Sequence, residues 1–225
     1  MLVRSLLLLF VTGLLAAQTY PPPFPRSGAQ KLFENARVEL WDVVWPKGQP
    51  SPMHQHPFDQ ISVTLTGGAV RVTRLDGTST VNHSEIGSIT PTAKGTIHIE
   101  EGLSDIPQHK IMVELKPSAA SALPTKAGIP GAFPREGSIK VFEDDRVIAW
   151  DYTWRPGRPA PRHADYRDSV AVFLEGGTLR AVAGSREIWK ATRQRGQAVY
   201  SPRSADAYSE ELVSGTPHAV IVELK

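Results

Sequence analysis

Apolar and polar residues alternate with period two along several short stretches of this chain, and turn-forming residues separate the stretches. The clearest are Val38-Glu-Leu-Trp-Asp-Val-Val-Trp45, Ile61-Ser-Val-Thr-Leu65, Ala69-Val-Arg-Val-Thr73 and Ile111-Met-Val-Glu-Leu115, each predicted to be a β-strand. Pro46-Lys-Gly48, Gly67-Gly68 and Asp76-Gly77 supply the turns between them. No amphipathic helix of useful length follows residue 17. Short strands at even spacing predict an all-β sandwich or barrel. One stretch carries chemistry on the same pattern. His54, His56 and Gln60 fall on one parity, and Ile61, Val63 and Leu65 on the other. An extended chain there presents an imidazole-bearing polar face and an apolar face.

The pattern then repeats at a constant offset of 109 residues. Phe24-Pro25-Arg26 returns as Phe133-Pro134-Arg135, and Trp41-Asp42 and Trp45 return as Trp150-Asp151 and Trp154. Gly48, Pro50, Pro52 and His54 match Gly157, Pro159, Pro161 and His163. Gly67-Gly68 and Gly87 match Gly176-Gly177 and Gly196, and Val113-Glu-Leu-Lys116 matches Val222-Glu-Leu-Lys225. The chain divides into residues 1–17, a proline-rich leader 18–30, a first unit 31–116, a linker 117–132 rich in Ala, Pro and Gly, and a second unit 133–225. Residues common to both units are read as architecture. Trp41 and Trp150 are expected in the core or between the units, and Asp42 and Asp151 as turn caps or arginine anchors. Gly67, Gly68 and Gly87 are expected at turns with unusual backbone angles, and His109 and His218 as structural. The leader, Tyr20-Pro-Pro-Pro-Phe24-Pro25, reads as a stiff extended segment outside the core.

Composition changes this picture in two ways. Met1 to Ala17 has one charge, Arg4, then a short apolar run and the pair Ala16-Ala17, which reads as a secretory signal peptide. The expected location is secreted or periplasmic, with no membrane contact after cleavage. The chain has 225 residues and no cysteine, so its stability must come from packing rather than disulfides. With 25 Lys and Arg against 23 Asp and Glu, and no basic run, nucleic acid is not an expected partner.

Two neutral imidazoles on one strand face can bend onto a single transition-metal ion, and an amide oxygen can follow as a third ligand. The spacing around them is Gly48, five residues, His54-Gln-His56, three residues, Gln60, six residues, Gly67. A second run places Gly87, Ala93, Gly95 and His98. Both resemble the two motifs of the cupin family, with Gln60 where that family usually has Glu and Gly102 where it has Asn. With the internal repeat, the chain resembles a bicupin. That resemblance implies two tandem jelly-roll barrels and a metal site of His54, His56, Gln60 and His98 in the first. The ion would be one divalent transition metal: Fe, Mn, Ni, Cu or Zn. Gln60 either coordinates, hydrogen-bonds to a bound water or stays aside. In the second unit His163, Asp165, Ser169 and Ala207 align with the four ligands, so that barrel is expected to be metal-free, a scaffold or a pocket lined by Arg162, Arg167, Asp168 and Tyr208.

A neutral ligand set leaves the ion's charge uncompensated and favours anionic ligands. The resulting expectation is an exported mononuclear metalloenzyme, dioxygenase-like or related, acting on a small anionic or hydroxylated substrate. The competing expectations are a non-catalytic binder of a small ligand or metal, and a structural module that the metal only stabilises. No catalytic base is assigned. Glu100 and Glu101 read as solvated turn residues, His83 as a surface histidine, and Ser62 and Thr64 as pocket lining. The Trp and Leu faces are expected to pack the barrels together, and a homodimer is possible.

Overall fold

The computed structural model describes residues 19–225, so the signal-peptide reading of residues 1–17 lies outside the described residues. The described chain is all-β, with antiparallel strand pairs throughout and no helix among the described residues. The first unit contains β1 (Ala29–Glu34), β2 (Val38–Trp45), β3 (His54–Gln55), β4 (Asp59–Thr66), β5 (Gly68–Arg74), β6 (Ser79–Ser84), β7 (Ile89–Thr92), β8 (Ile97–Gly102) and β9 (Gln108–Leu115). They form a five-stranded sheet in the order β1-β2-β9-β4-β7 and a four-stranded sheet in the order β3-β8-β5-β6. The four predicted strands are β2, the centres of β4 and β5, and the C-terminal part of β9.

The second unit contains β10 (Ile139–Glu143), β11 (Val147–Thr153), β12 (Ala160–His163), β13 (Ser169–Ala183), β14 (Arg186–Arg193), β15 (Ala198–Ser201) and β16 (Tyr208–Leu224). Here β13 covers the positions of β4 and β5, and β16 those of β8 and β9. These two long strands tie all seven into one sheet. Register shifts near Glu175 and Gly177 let β13 and β16 turn the corner that separate strands turn in the first unit.

Strands β4 and β9 are buried on both faces. Gln60, Ser62, Lys110 and Met112 face a cavity inside the first barrel. Ile61, Val63, Leu65, Ile111, Val113 and Leu115 face outward. That outward face packs on the equivalent face of the second unit, where Val170, Val172, Leu174, Val220, Val222 and Leu224 join the same cluster. Each such side chain contributes roughly 1.5–3 kcal/mol on full burial. The largest apolar cluster is therefore shared between the units, while each barrel interior holds a smaller apolar cluster beside buried polar groups.

This places the tryptophans differently from one of the two sequence expectations. Trp41 and Trp45 pack inside the first barrel with Val43, Val70 and Met112. Trp154 packs inside the second with Tyr152 and Phe173. The apolar contact between the units is mainly aliphatic, with Phe33 stacked on Tyr200 across it at 5.3 Å between ring centroids. The leader also departs from expectation. Phe24 is buried and stacks on Trp41 at 4.8 Å between ring centroids, so the proline-rich segment contributes a core aromatic. Asp42 neither caps a turn nor anchors an arginine. It pairs with His109 at 2.7 Å, and Asp151 pairs with His218 at 2.9 Å. Of the glycines, Gly87 has φ +80, as expected for a turn. Gly67 is needed for close approach instead, since a Cβ there would stand 2.8 Å from the Ser84 carbonyl oxygen.

The contact between the units has approximate two-fold symmetry. Arg37 Nη1 meets Asp168 Oδ2 at 2.5 Å, and its Nη2 donates to the Lys225 carbonyl at 2.8 Å. Arg146 Nη1 meets Asp59 Oδ2 at 2.9 Å, and its Nη2 donates to the Lys116 carbonyl at 3.0 Å. These four partners are related by the 109-residue repeat. Gly87 lies against Leu174, and Gly196 against Leu65, in the same reciprocal way.

Candidate metal centre

His54 lies on β3 and His98 on β8, directly opposite each other in the antiparallel register. His56 follows β3, where its backbone N–H donates to the Thr96 carbonyl at 3.0 Å. Three imidazoles from two chain segments thus converge, with one nitrogen from each lying within 4.8 Å of the others. All three are buried. His56 Nε2 and His98 Nε2 are 3.1 Å apart. Two nitrogens bound to one ion at about 2.1 Å and at right angles would stand about 3 Å apart.

The hydrogen bonding is that of a prepared site. His54 Nδ1 donates to the Pro52 carbonyl at 2.9 Å, which leaves Nε2 with a free lone pair. His54 Nε2 is buried and has no hydrogen-bond partner, and neither does His56 Nδ1. Burial lowers the pKa of all three histidines, that of His56 to about 4 with help from His98 and His54. Neutral imidazoles at ordinary pH are the form a metal needs. Gln60 is buried on β4 and lines the same cavity as His98. Its Nε2 donates weakly to Met112 Sδ at 3.4 Å, and its Oε1, the atom an amide offers to a metal, has no partner. The two orphaned acceptors, His54 Nε2 and Gln60 Oε1, fit a divalent ion.

The cavity beside the triad is about 610 Å³ and also presents Ser62, His83, Glu100 and Lys110. Glu100 is not the solvated turn residue expected from sequence. It sits on β8, accepts from Trp45 Nε1 at 3.1 Å, and approaches Arg26 at 3.7 Å and His98 Nε2 at 3.9 Å. The second barrel repeats the arrangement, with Glu210 held by Trp154 at 3.2 Å and Arg135 at 2.8 Å. Recurrence in both barrels marks it as architecture. Glu101 pairs with Arg71 at 2.7 Å. Ser62 reaches the cavity as expected, whereas the buried Thr64 hydroxyl accepts from Ser88 at 3.1 Å and is not among the cavity-lining residues. Lys110 was not found by sequence reasoning. Its only signal was a polar residue on the inward parity of β9.

The second barrel corrects one alignment. Tyr208, not Ala207, stands opposite His163, as His98 stands opposite His54. One extra residue precedes β16 and one fewer follows within it, so the constant offset fails locally and returns at His218. The positions of His56 and His98 are therefore Asp165 and Tyr208, and these bond to each other, Oη to Oδ2, at 2.6 Å. A hydrogen bond occupies the place of the triad. The remaining cavity is about 470 Å³, with Arg167 and Tyr208 in its wall. Arg162 is exposed, and Asp168 is committed to Arg37.

No protein-family profile matches the chain, and no curated protein matches it significantly. Solved structures do match. A Cupin 2 conserved barrel domain protein from Leptotrichia buccalis is 9% identical, with 88% of each chain covered and a TM-score of 0.56. A mutant salicylate 1,2-dioxygenase from Pseudoaminobacter salicylatoxidans is 12% identical over 84% of this chain and 70% of its own, with a TM-score of 0.57. A mutant oxalate decarboxylase from Bacillus subtilis is 12% identical over 93% of this chain and 78% of its own, also with a TM-score of 0.57. At these identities the likeness is one of fold, and the chain has an all-β barrel fold like that of these structures.

Proposed function

We propose that the protein is an exported bicupin metalloenzyme with one mononuclear site, acting on a small anionic or hydroxylated substrate. The observation that carries this reading is the buried convergence of His54, His56 and His98, with orphaned acceptors at His54 and Gln60, beside a cavity of about 610 Å³ that His98 and Gln60 line. His54, His56 and His98 would hold the ion, and Gln60 Oε1 would be the fourth donor. All four are neutral, so the ion would keep its charge and draw in an anionic oxygen. A bound Fe or Mn ion would supply Lewis-acid or redox chemistry of the general kind that a dioxygenase or a decarboxylase needs. The protein supplies the rest. Pro52 fixes the tautomer of His54, Trp45 and Arg26 fix Glu100 beneath the triad, and Val70, Val72 and Met112 give the cavity an apolar wall. The second barrel supports the first through the shared core.

The test is metal analysis of residues 18–225, purified without added metal, beside His54→Ala and His98→Ala. About one equivalent of Fe, Mn, Ni, Cu or Zn is expected in the parent protein and far less in both variants. Oxygen uptake and carbon dioxide release over a panel of small carboxylates then separate turnover from mere binding. A protein that takes up no metal even after reconstitution sinks the proposal.

A further inference from the structure

What both barrels share holds the fold together, so what only the first possesses points to its use. Lys110 is such a residue. The position 109 residues on is Ala219, which is buried, so the fold does not require a cation there. Lys110 is 6% exposed, on the inward face of β9, and lines the cavity that also contains Gln60 and His98. Its ammonium donates to Ser84 Oγ at 3.1 Å and Thr90 Oγ1 at 3.2 Å, both neutral. An ammonium has three hydrogens to place. Among the described residues no carboxylate pairs with it within 4.0 Å. Glu100 is the one acidic group whose charge it feels, and Glu100 is already committed to Trp45 and Arg26. Burial accordingly pushes the lysine pKa down. A buried cation without its counterion is costly, and an anion delivered to the cavity removes that cost.

We propose that Lys110 anchors a second anionic group of the substrate, so that the first barrel takes a small bifunctional acid. One oxygen-bearing end faces the histidine triad, and a carboxylate at the other end meets the Lys110 ammonium. Only the first end rests on the metal-site reading above. The second stands on the unpaired cation.

Calorimetric titration of the metal-loaded protein with matched pairs tests this: malonate against acetate, succinate against propionate, glutarate against butyrate. At least one diacid is expected to bind about tenfold or more tighter than its monoacid partner, the usual scale of one charge-assisted hydrogen bond. In Lys110→Met that margin falls below about threefold while metal content is unchanged, and Lys110→Arg recovers part of it. Lys110→Gln runs in parallel, since it keeps a donor for Ser84 and Thr90 if the methionine variant folds poorly. No diacid preference in the parent protein overturns the proposal, as does an undiminished preference in the folded variants. If the parent protein proves metal-free, the triad reading fails separately. The lysine is then tested on that protein with propionate: weaker binding in Lys110→Met supports the anchor, and equal binding overturns it.

Discussion

Glu114 shows how a barrel filled with polar groups affects stability. It is buried on β9 beside the leader-facing Trp41, whose Nε1 donates to Oε2 at 3.2 Å, while Oε1 has no partner. Burial, reinforced by nearby Glu39, raises its pKa from 4.5 to about 7, against the opposing pull of the Trp41 N–H. The unfolded chain therefore loses this proton first as pH rises. Glu114's contribution to stability is lost between pH 4.5 and about 7 and stays lost above. The histidines run the other way: His56, at about 4 when folded, costs stability as pH falls below 6.5. Glu114→Gln keeps an acceptor for Trp41 but cannot ionise. The melting temperature of this variant, minus that of the parent, should rise steadily from pH 4.5 to 7 in metal-free protein. A flat difference would remove Glu114 from the account. At this scale the sequence told most where spacing is rigid: two histidines at i and i+2, and a third marked by the second motif. It told least for Lys110 and Glu100. A charged residue on an alternating strand looks the same in sequence whether its face meets water or a cavity.

Strands β4 and β9 were legible as elements, and on β4 so was the polar parity that faces the cavity; the inward side of β9 was not. Ile61, Val63 and Leu65 read as an ordinary apolar face. In the assembled molecule this face lies outside the barrel and packs on its repeat, in line with the expected Leu packing between the barrels but without the tryptophans. Truncating it should be as damaging as truncating a core residue. Leu174→Ala, at a 2% exposed position in the shared cluster, is expected to cost about 2–5 kcal/mol in urea unfolding. Gly87→Ala should cost about 1 kcal/mol or more by the same measurement, because φ is +80 and the new methyl would stand 3.1 Å from Leu174 Cδ1. The register slip before β16 was also invisible. An insertion and a deletion that cancel leave the repeat offset intact at both ends, so Tyr208 hid one position from where the repeat pointed.

Across the whole molecule, the repeat was the most legible feature, since pairs such as Trp41 and Trp150 survive at one offset along nearly all of both units. What the repeat could not show is that the two contacts it generates differ in burial. Arg37 and Asp168 are 12% and 6% exposed at the side chain, whereas Arg146 and Asp59 are 39% and 40% exposed. Arg37→Ala strands a buried carboxylate that retains the Arg203 N–H at 2.7 Å, and should cost about 3 kcal/mol or more. Arg146→Ala leaves a solvated aspartate and should cost less than about 1 kcal/mol. Equal losses in denaturant unfolding would contradict that difference.

The reciprocal Arg–Asp contacts have a consequence for how such a molecule changes over time. Each half offers the other the same surface that it would offer to a second copy of itself. In a dimer of identical chains, every substitution is inherited on both sides of the axis, so neither site can be given up without losing the other. Once the two halves lie in a single gene, they are free to diverge. Tyr208 and Asp165 can bond where ligands would stand, and Ala219 can replace a lysine, while His54, His56, His98 and Lys110 stay in place on the other side.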